Sequence, residues 1–274
     1  MAGSGGSVGG LSATFTPSHR GGSGAPLVCL HGFLDTWRSW ELVLPALERR
    51  HDVLAPTLAG HAGGTPIGGQ VHVDVLVDAV EHAMDAAGFD LAHLVGNSLG
   101  GYVALRLAAR GRARTVVALA PAGGWARSDD SHRELLRFQA TLLELARALA
   151  PHADAIMATE DGRRRATQYL ASRFEHVPGE LLAHQLRGVA RCDAALLEHA
   201  LRAEWGLDAE RIACPVRIVW GTADRLLPWP SAAARYRTEW LPHADWVKLD
   251  GVGHCPQLDV PLETAQLILG LTSG

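Results

Sequence analysis

The chain has 274 residues, 47% of them hydrophobic, enough for a large buried core in one α/β unit. A formal net charge of −4 and a pI near 6.4 exclude the broad basic face that nucleic acid or an anionic membrane would require. No apolar run reaches the ~18 residues of a membrane span. The Gly/Ser-rich residues 1–10 are expected to be flexible, and they lack the charged start and apolar centre of a signal peptide. Cys29, Cys192, Cys214 and Cys255 are scattered with no C-x-x-C, which suits free thiols in a reducing cytoplasm.

In chain order, Leu11–Thr16 is expected as a short first strand, and Pro26–Leu30 is a continuous apolar run suited to a strand buried on both faces. Trp37–Arg50 has helical spacing at Trp37, Trp40, Leu44 and Leu47, with a kink at Pro45. Asp52–Pro56 reads as the next strand, and Thr57–Gln70, rich in Gly and Pro, as a loop. A helix over Val71–Ala87 stops at Gly88. Leu91–Val95 and Thr115–Ala120 are further buried strands, with Tyr102–Ala109 as the helix between them. Strands alternating with helices through short links predict a parallel sheet covered on both faces.

The alternation then breaks. From Trp125 to about Gly206 only helical stretches remain: Glu134–Leu149, Gly162–Phe174, Gly179–Arg191 and Ala194–Trp205. Strands resume at Val216–Trp220 and Trp246–Leu249, followed by a helix over Leu262–Leu271, with another near Ser231–Trp240 between them. The expected organisation is a core in two parts, residues 1–122 and 207–274, interrupted by a helical cap at 123–206.

One hexapeptide carries most of the chemistry. Gly96-Asn97-Ser98-Leu99-Gly100-Gly101 sits where a strand turns into a helix, the context of the G-x-S-x-G nucleophile elbow. The glycines permit a strained backbone and a close strand–helix approach. The helix N-terminus behind Ser98 favours developing negative charge.

A serine hydroxyl needs a base, and that base needs an orienting acid, in the chain order Ser, acid, His. Asp224 follows the Val216–Trp220 strand and His254 follows the Trp246–Leu249 strand. Both therefore lie at strand carboxyl ends, where open α/β sheets bind ligands. Asp245 and Asp250 compete as the acid and rank below Asp224, Asp250 reading as a solvated turn residue. Cys255, beside the histidine, reads as packing. Two backbone N–H groups are needed for an oxyanion: Leu99, after the serine, and Phe33, after His31-Gly32 at the end of the Pro26–Leu30 strand.

Together with the Gly60-His61-Ala62-Gly63-Gly64-Thr65 loop, these segments resemble the α/β-hydrolase superfamily over nearly the whole chain. The resemblance implies an eight-stranded, mostly parallel sheet with helices on both faces, a helical cap over the site, and no cofactor. It also implies Ser98 as nucleophile, His254 as base and Asp224 as acid. Gly-Asn-Ser-Leu-Gly-Gly is similar to the elbow of hydrolases that cleave carbon–carbon bonds in meta-ring-fission products. Those enzymes hold the substrate carboxylate with a cap arginine, for which Arg163, Arg164, Arg165, Arg173, Arg187 and Arg191 are candidates, though surface roles suit them better. Haloalkane dehalogenases and epoxide hydrolases place Asp at the elbow, so Ser98 argues against both.

The expected activity is serine-dependent hydrolysis of small-to-medium hydrophobic esters through an acyl-enzyme. Carbon–carbon bond hydrolysis of diketo acids is one alternative, and a non-catalytic small-ligand binding protein on the same fold is another. A metal-dependent hydrolase is disfavoured, because the 14 histidines are dispersed with no H-E-x-x-H, and no metal site is expected. Trp125, Met157, Leu226, Leu227 and Trp229 are candidate pocket-lining residues that could equally be core. Phe138 is assigned to core.

Overall fold

A computed structural model describes residues 14–67, 73–202 and 204–273. Strands β1 (Ser18–Gly22), β2 (Ala25–Leu30), β3 (His51–Pro56), β4 (Ala92–Asn97), β5 (Ala113–Leu119), β6 (Val216–Gly221) and β7 (Asp245–Leu249) form one sheet in the order β1-β3-β2-β4-β5-β6-β7. Only the β1–β3 pair is antiparallel; every other pair is parallel. The sheet thus has seven strands among the described residues, where the sequence resemblance implied eight. The first strand begins at Ser18; residues 14–16 are irregular and 11–13 lie outside the described residues, as do 1–10.

Period-two alternation sorts the strand side chains into two cores. Val28, Leu30, Leu94, Val116, Ala118 and Ile218 point to one face, against α2 (Val73–Ala86) and α3 (Leu99–Ala109). Leu27, Cys29, Val95, Val117, Leu119 and Val219 point to the other. There they meet Trp40, Leu44 and Leu47 from the β2–β3 connection and Ala265 and Ile268 from the last long helix. The long helix predicted over Trp37–Arg50 is instead a 3₁₀ turn at Trp37–Trp40 and a single α-turn, α1 (Leu44–Leu47). Pro45 lacks an N–H and fits only the first turn of a helix, so it starts α1 and cannot continue an earlier one. Ser231–Trp240 likewise divides into a 3₁₀ turn and a π-helical turn.

Between β5 and β6 the described residues hold no strand but five α-helices, α4 (Ser131–Leu149), α5 (Ala153–Met157), α6 (Glu160–Thr167), α7 (Gly179–Ala190) and α8 (Ala194–Arg202), and 3₁₀ turns at Ala150–His152 and Ala209–Arg211. Helix α4 packs on α7 and α8, burying Leu136, Leu143 and Ala146 at helical spacing, while Leu145 faces solvent. Helices α5 and α7 build a third apolar cluster from Met157, Val177, Leu181 and Leu182 with Cys255 and Leu258 of the segment after β7. The insertion therefore rests on the His254 loop. The helix expected over Gly162–Phe174 stops at Thr167; of the irregular residues that follow, Leu170 O accepts from Cys255 N of that loop, and Ser172 N and Arg173 N donate to the Asp259 carboxylate. Two further helices, α9 (Pro256–Asp259) and α10 (Pro261–Thr272), close the chain. No helix of the described residues is long and apolar enough to cross a membrane.

Candidate active site

Ser98 lies between β4 and α3 with φ 54° and ψ −116°, a left-handed conformation that an L side chain rarely adopts. Backbone bonds on both sides hold it there: its N–H donates to Leu119 O at 2.9 Å, and its carbonyl accepts from Tyr102 N at 3.1 Å and Ala122 N at 3.0 Å. The flanking glycines are required by proximity. A Cβ on Gly96 would overlap the carbonyl of Gly100, and one on Gly100 would overlap the carbonyls of Leu30 and His31. The elbow can sit this close to β2 only without those side chains.

The β2 end reaches the same point. A Cβ on Gly32 would stand 3.4 Å from Cβ of Ser98, so the His31-Gly32-Phe33 loop runs beside the serine. His31 fixes that loop from within the core: its Nδ1–H donates to Gly32 O at 2.7 Å, and its Nε2 accepts from Leu58 N at 2.8 Å. Burial, and then the neighbouring His61 ring, hold its pKa well below the ordinary histidine range. A neutral His31 is what this donor–acceptor pattern requires.

Asp224 and His254 meet at the ends of β6 and β7. Nδ1–H of His254 donates to Asp224 Oδ2 at 2.7 Å, and both residues are buried. The second carboxylate oxygen accepts from Leu226 N at 2.9 Å and Leu227 N at 2.8 Å, which fixes its plane. The competing acids are engaged elsewhere. Asp250 accepts from the Thr222 hydroxyl at 3.0 Å, and Asp245 pairs with Arg217 at 2.7 Å on the surface. Cys255 is buried, and desolvation pushes its thiol well above the usual range, so a reactive thiolate is disfavoured.

A cavity of about 70 Å³ opens in front of the serine. Ser98, Leu99 and Phe33 form its floor; Trp125, Leu135, Leu136 and Leu196 of the insertion, with Tyr102 and Leu227, form apolar walls. Gln139, His199 and Glu204 add polar groups. The alpha/beta hydrolase family model matches residues 27–267, a span that holds all of these site residues.

The chain belongs to the alpha/beta hydrolase family. It is 36% identical to epoxide hydrolase EphH of Mycobacterium tuberculosis over 200 residues, 71% of this chain and 92% of that protein. A 114-residue stretch is 39% identical to 2-hydroxymuconate semialdehyde hydrolase of Pseudomonas sp., spanning 39% of this chain and 40% of that one. An esterase structure from Thermogutta terrifontis superposes with a TM-score of 0.69 at 21% identity, covering 93% of this chain and 92% of the other.

Not every pocket residue expected from the sequence of this α/β-hydrolase lines the cavity. Trp125 and Leu227 do. Leu226 instead faces an outer groove of about 470 Å³ that shares Trp125 and Leu135 with the inner cavity. Met157 is core, packed in the α5–α7 cluster, because the apolar side of α5 faces α7 rather than the serine. Trp229 stacks near Trp220 and Trp246, with Arg237 over its ring, away from the cavity. Phe138 is only half-buried, edge-on to Tyr169. Sequence reasoning missed Tyr102, Leu135, Leu196, His199 and Glu204 as lining residues, for no local signal separates a pocket wall from a helix face. It also missed Asn97, although a fully buried amide beside the elbow serine is a visible anomaly.

No arginine whose side chain is described lines the cavity. Arg164 and Arg165 pair along α6 with Glu160 and Asp161, Arg187 pairs with Asp154, and Arg163 donates to Met157 O.

Proposed function

We propose that this α/β-hydrolase cleaves small neutral esters through an acyl-enzyme, with Ser98 as nucleophile, His254 as base and Asp224 as orienting acid. The observation that carries the reading is the composition and size of the cavity at Ser98. It is largely apolar, it contains Glu204 and no arginine whose side chain is described, and at about 70 Å³ it is roughly half the ~150 Å³ that holds a benzene molecule in an apolar core. A short acyl chain of about two to four carbons suits that volume. Glu204 at the cavity favours a neutral substrate over a carboxylate, which places the ester reading ahead of the diketo-acid one.

In the proposed reaction the hydroxyl of Ser98 adds to the ester carbonyl while Nε2 of His254 takes its proton. Asp224 holds the imidazole with Nδ1 protonated, leaving Nε2 as the acceptor. The tetrahedral oxyanion is bound by the backbone N–H groups of Leu99 and Phe33. His254 returns the proton to the departing alcohol, and water then hydrolyses the acyl-enzyme by the same steps. The helices of 123–206 act as a cap that excludes water from the oxyanion. Chemistry also separates this reading from the epoxide hydrolase relative. A serine alkoxide opening an epoxide would leave an ether, which no later step of this machinery can hydrolyse.

The test is labelling with a serine-directed fluorophosphonate, followed by mass mapping, alongside turnover of p-nitrophenyl acetate and butyrate. One label on Ser98, lost in Ser98→Ala together with ester turnover, is expected. Full ester turnover by a folded Ser98→Ala protein would end the serine mechanism.

A further inference from the structure

The loop bearing His254 is tied down on both sides of the histidine, and two of its ties lead into the helical insertion. Cys255 N donates to Leu170 O at 2.7 Å. Gly253 N donates to Asp259 Oδ2 at 2.6 Å. That same oxygen accepts from Ser172 N at 2.8 Å, and Asp259 Oδ1 accepts from Arg173 N at 3.0 Å. Asp259 is 2% exposed, and its described partners are all backbone N–H groups. His176 adds a side-chain bond from Nε2 to Leu258 O at 2.6 Å.

This is an unusual use of a buried carboxylate. An ionised carboxylate is acceptor-only, so one group can take three N–H donors from two separate segments. Such charge-assisted bonds are shorter and stronger than neutral ones. Burying the charge is tolerable only while all three donors are present, so losing the insertion contacts leaves a poorly compensated carboxylate beside Gly253. The position of the loop and the docking of residues 170–173 are therefore one structural event rather than two.

We propose that Asp259 is a positioning residue that couples the insertion to His254, so that the base is in register with Asp224 only while residues 170–173 are docked. This rests on His254 being the base of the proposed reaction. Asp259 touches no reacting atom; it acts through the backbone of Gly253.

The experiment compares Asp259→Asn and Asp259→Glu in the full chain, with His254→Gln as reference. Asparagine keeps the shape but presents an NH₂ group where one oxygen faced N–H donors. Expected is a kcat on p-nitrophenyl butyrate lowered roughly 10- to 100-fold with KM changed much less, as for a misplaced catalytic group. The His254 ring resonances in ¹⁵N NMR are expected to broaden or shift in Asp259→Asn, and Asp259→Glu should recover part of both. A folded Asp259→Asn protein with native kcat and an unmoved His254 ring overturns the proposal while leaving the serine mechanism standing. Full turnover by His254→Gln overturns the proposal together with the mechanism it rests on. A further measurement needs no variant: in the native protein the amides of Ser172, Arg173 and Gly253 should show one common protection factor in hydrogen exchange. Fast exchange at Ser172 and Arg173 with Gly253 still protected overturns the coupling.

Discussion

The side-chain amide of Asn97 donates to the backbone carbonyl of His254 at 3.0 Å, joining the nucleophile elbow to the loop of the candidate base. The same amide donates to Leu119 O at 3.1 Å, and its oxygen accepts from Gln257 Nε2 at 3.1 Å and from the Cys255 thiol at 3.3 Å. One fully buried residue thus spans β4, the end of β5 and the loop after β7. Asn97→Ala should strand the carbonyl of His254 and the donors of Gln257 and Cys255. Each unsatisfied buried group costs ~1–3 kcal/mol, so a melting temperature lowered by several degrees is expected, with a loss of the proposed ester hydrolysis. Calorimetry and initial rates at a temperature where both proteins are folded check this.

Asp224→Asn should lower turnover by up to about 10⁴-fold, because an amide no longer enforces the Nδ1-protonated tautomer of His254. Asp250→Asn should change turnover less than about twofold, since Asp250 is exposed and its bond is to the hydroxyl of exposed Thr222 on the neighbouring loop. Steady-state rates on one ester decide it, and the reverse ranking would reassign the acid.

Acid should weaken the fold before it protonates many carboxylates. Burial holds His61, His93 and His184 down to about 4, from an ordinary value near 6.5. Between those values the unfolded chain binds more protons than the folded one, so this stability is full above about pH 6.5 and is lost as pH falls toward 4. Asp35 works in the opposite sense, its carboxyl raised by burial to about 7. The histidines outnumber it. Each net proton contributes up to about 1.4 kcal/mol per pH unit, so urea midpoints should fall steeply from pH 6.5 to 5. Midpoints that stay flat over that range would contradict the assignment.

Glu204 should bias the cavity against anionic substrates. It is an exposed charge, so the effect is small and salt-sensitive, roughly two- to fivefold. Glu204→Gln is expected to raise kcat/KM for a succinate half-ester by that factor at low salt and to leave the butyrate ester unchanged. Equal changes for both esters would show that the charge is not sensed.

Much of this arrangement is legible in the sequence because motif and topology reinforce one another. Gly96, Gly100 and Gly101 announce a turn too crowded for side chains, and Asp224 and His254 follow apolar runs that can only be strands. What stays hidden depends on contacts between distant segments. Met157 and Trp125 are similar as sequence objects, yet α5 turns its residue into core while Trp125 faces Ser98. The helix after Glu160 ends at Thr167, and beyond it Asp259, about ninety residues away in sequence, accepts the backbone N–H groups of Ser172 and Arg173, a partnership no local pattern reveals. The long helix suggested by Trp37, Trp40, Leu44 and Leu47 fails for a local reason: the same four residues cover the sheet just as well from two short turns.

Leu135 lines two spaces together with Trp125, and in the proposed reaction it should help set the acyl length accepted. It lines the inner cavity of about 70 Å³ with Ser98, and also the outer groove of about 470 Å³ beside Leu226 and Tyr169. With Leu135 in place, the inner cavity of about 70 Å³ suits an acyl chain of about two to four carbons. Leu135→Ala should join the two spaces and move the optimum toward about six to eight carbons, with kcat/KM for acetate falling as its apolar contacts are lost. Leu135 is only half-buried, so the truncation should cost less than the ~2–5 kcal/mol of a fully buried leucine, and the variant should fold. The measurement is kcat/KM across p-nitrophenyl esters from acetate to dodecanoate for both proteins. An unchanged optimum in the variant would mean that longer chains leave the Ser98 cavity by another wall, and Leu135 would lose its role as the partition.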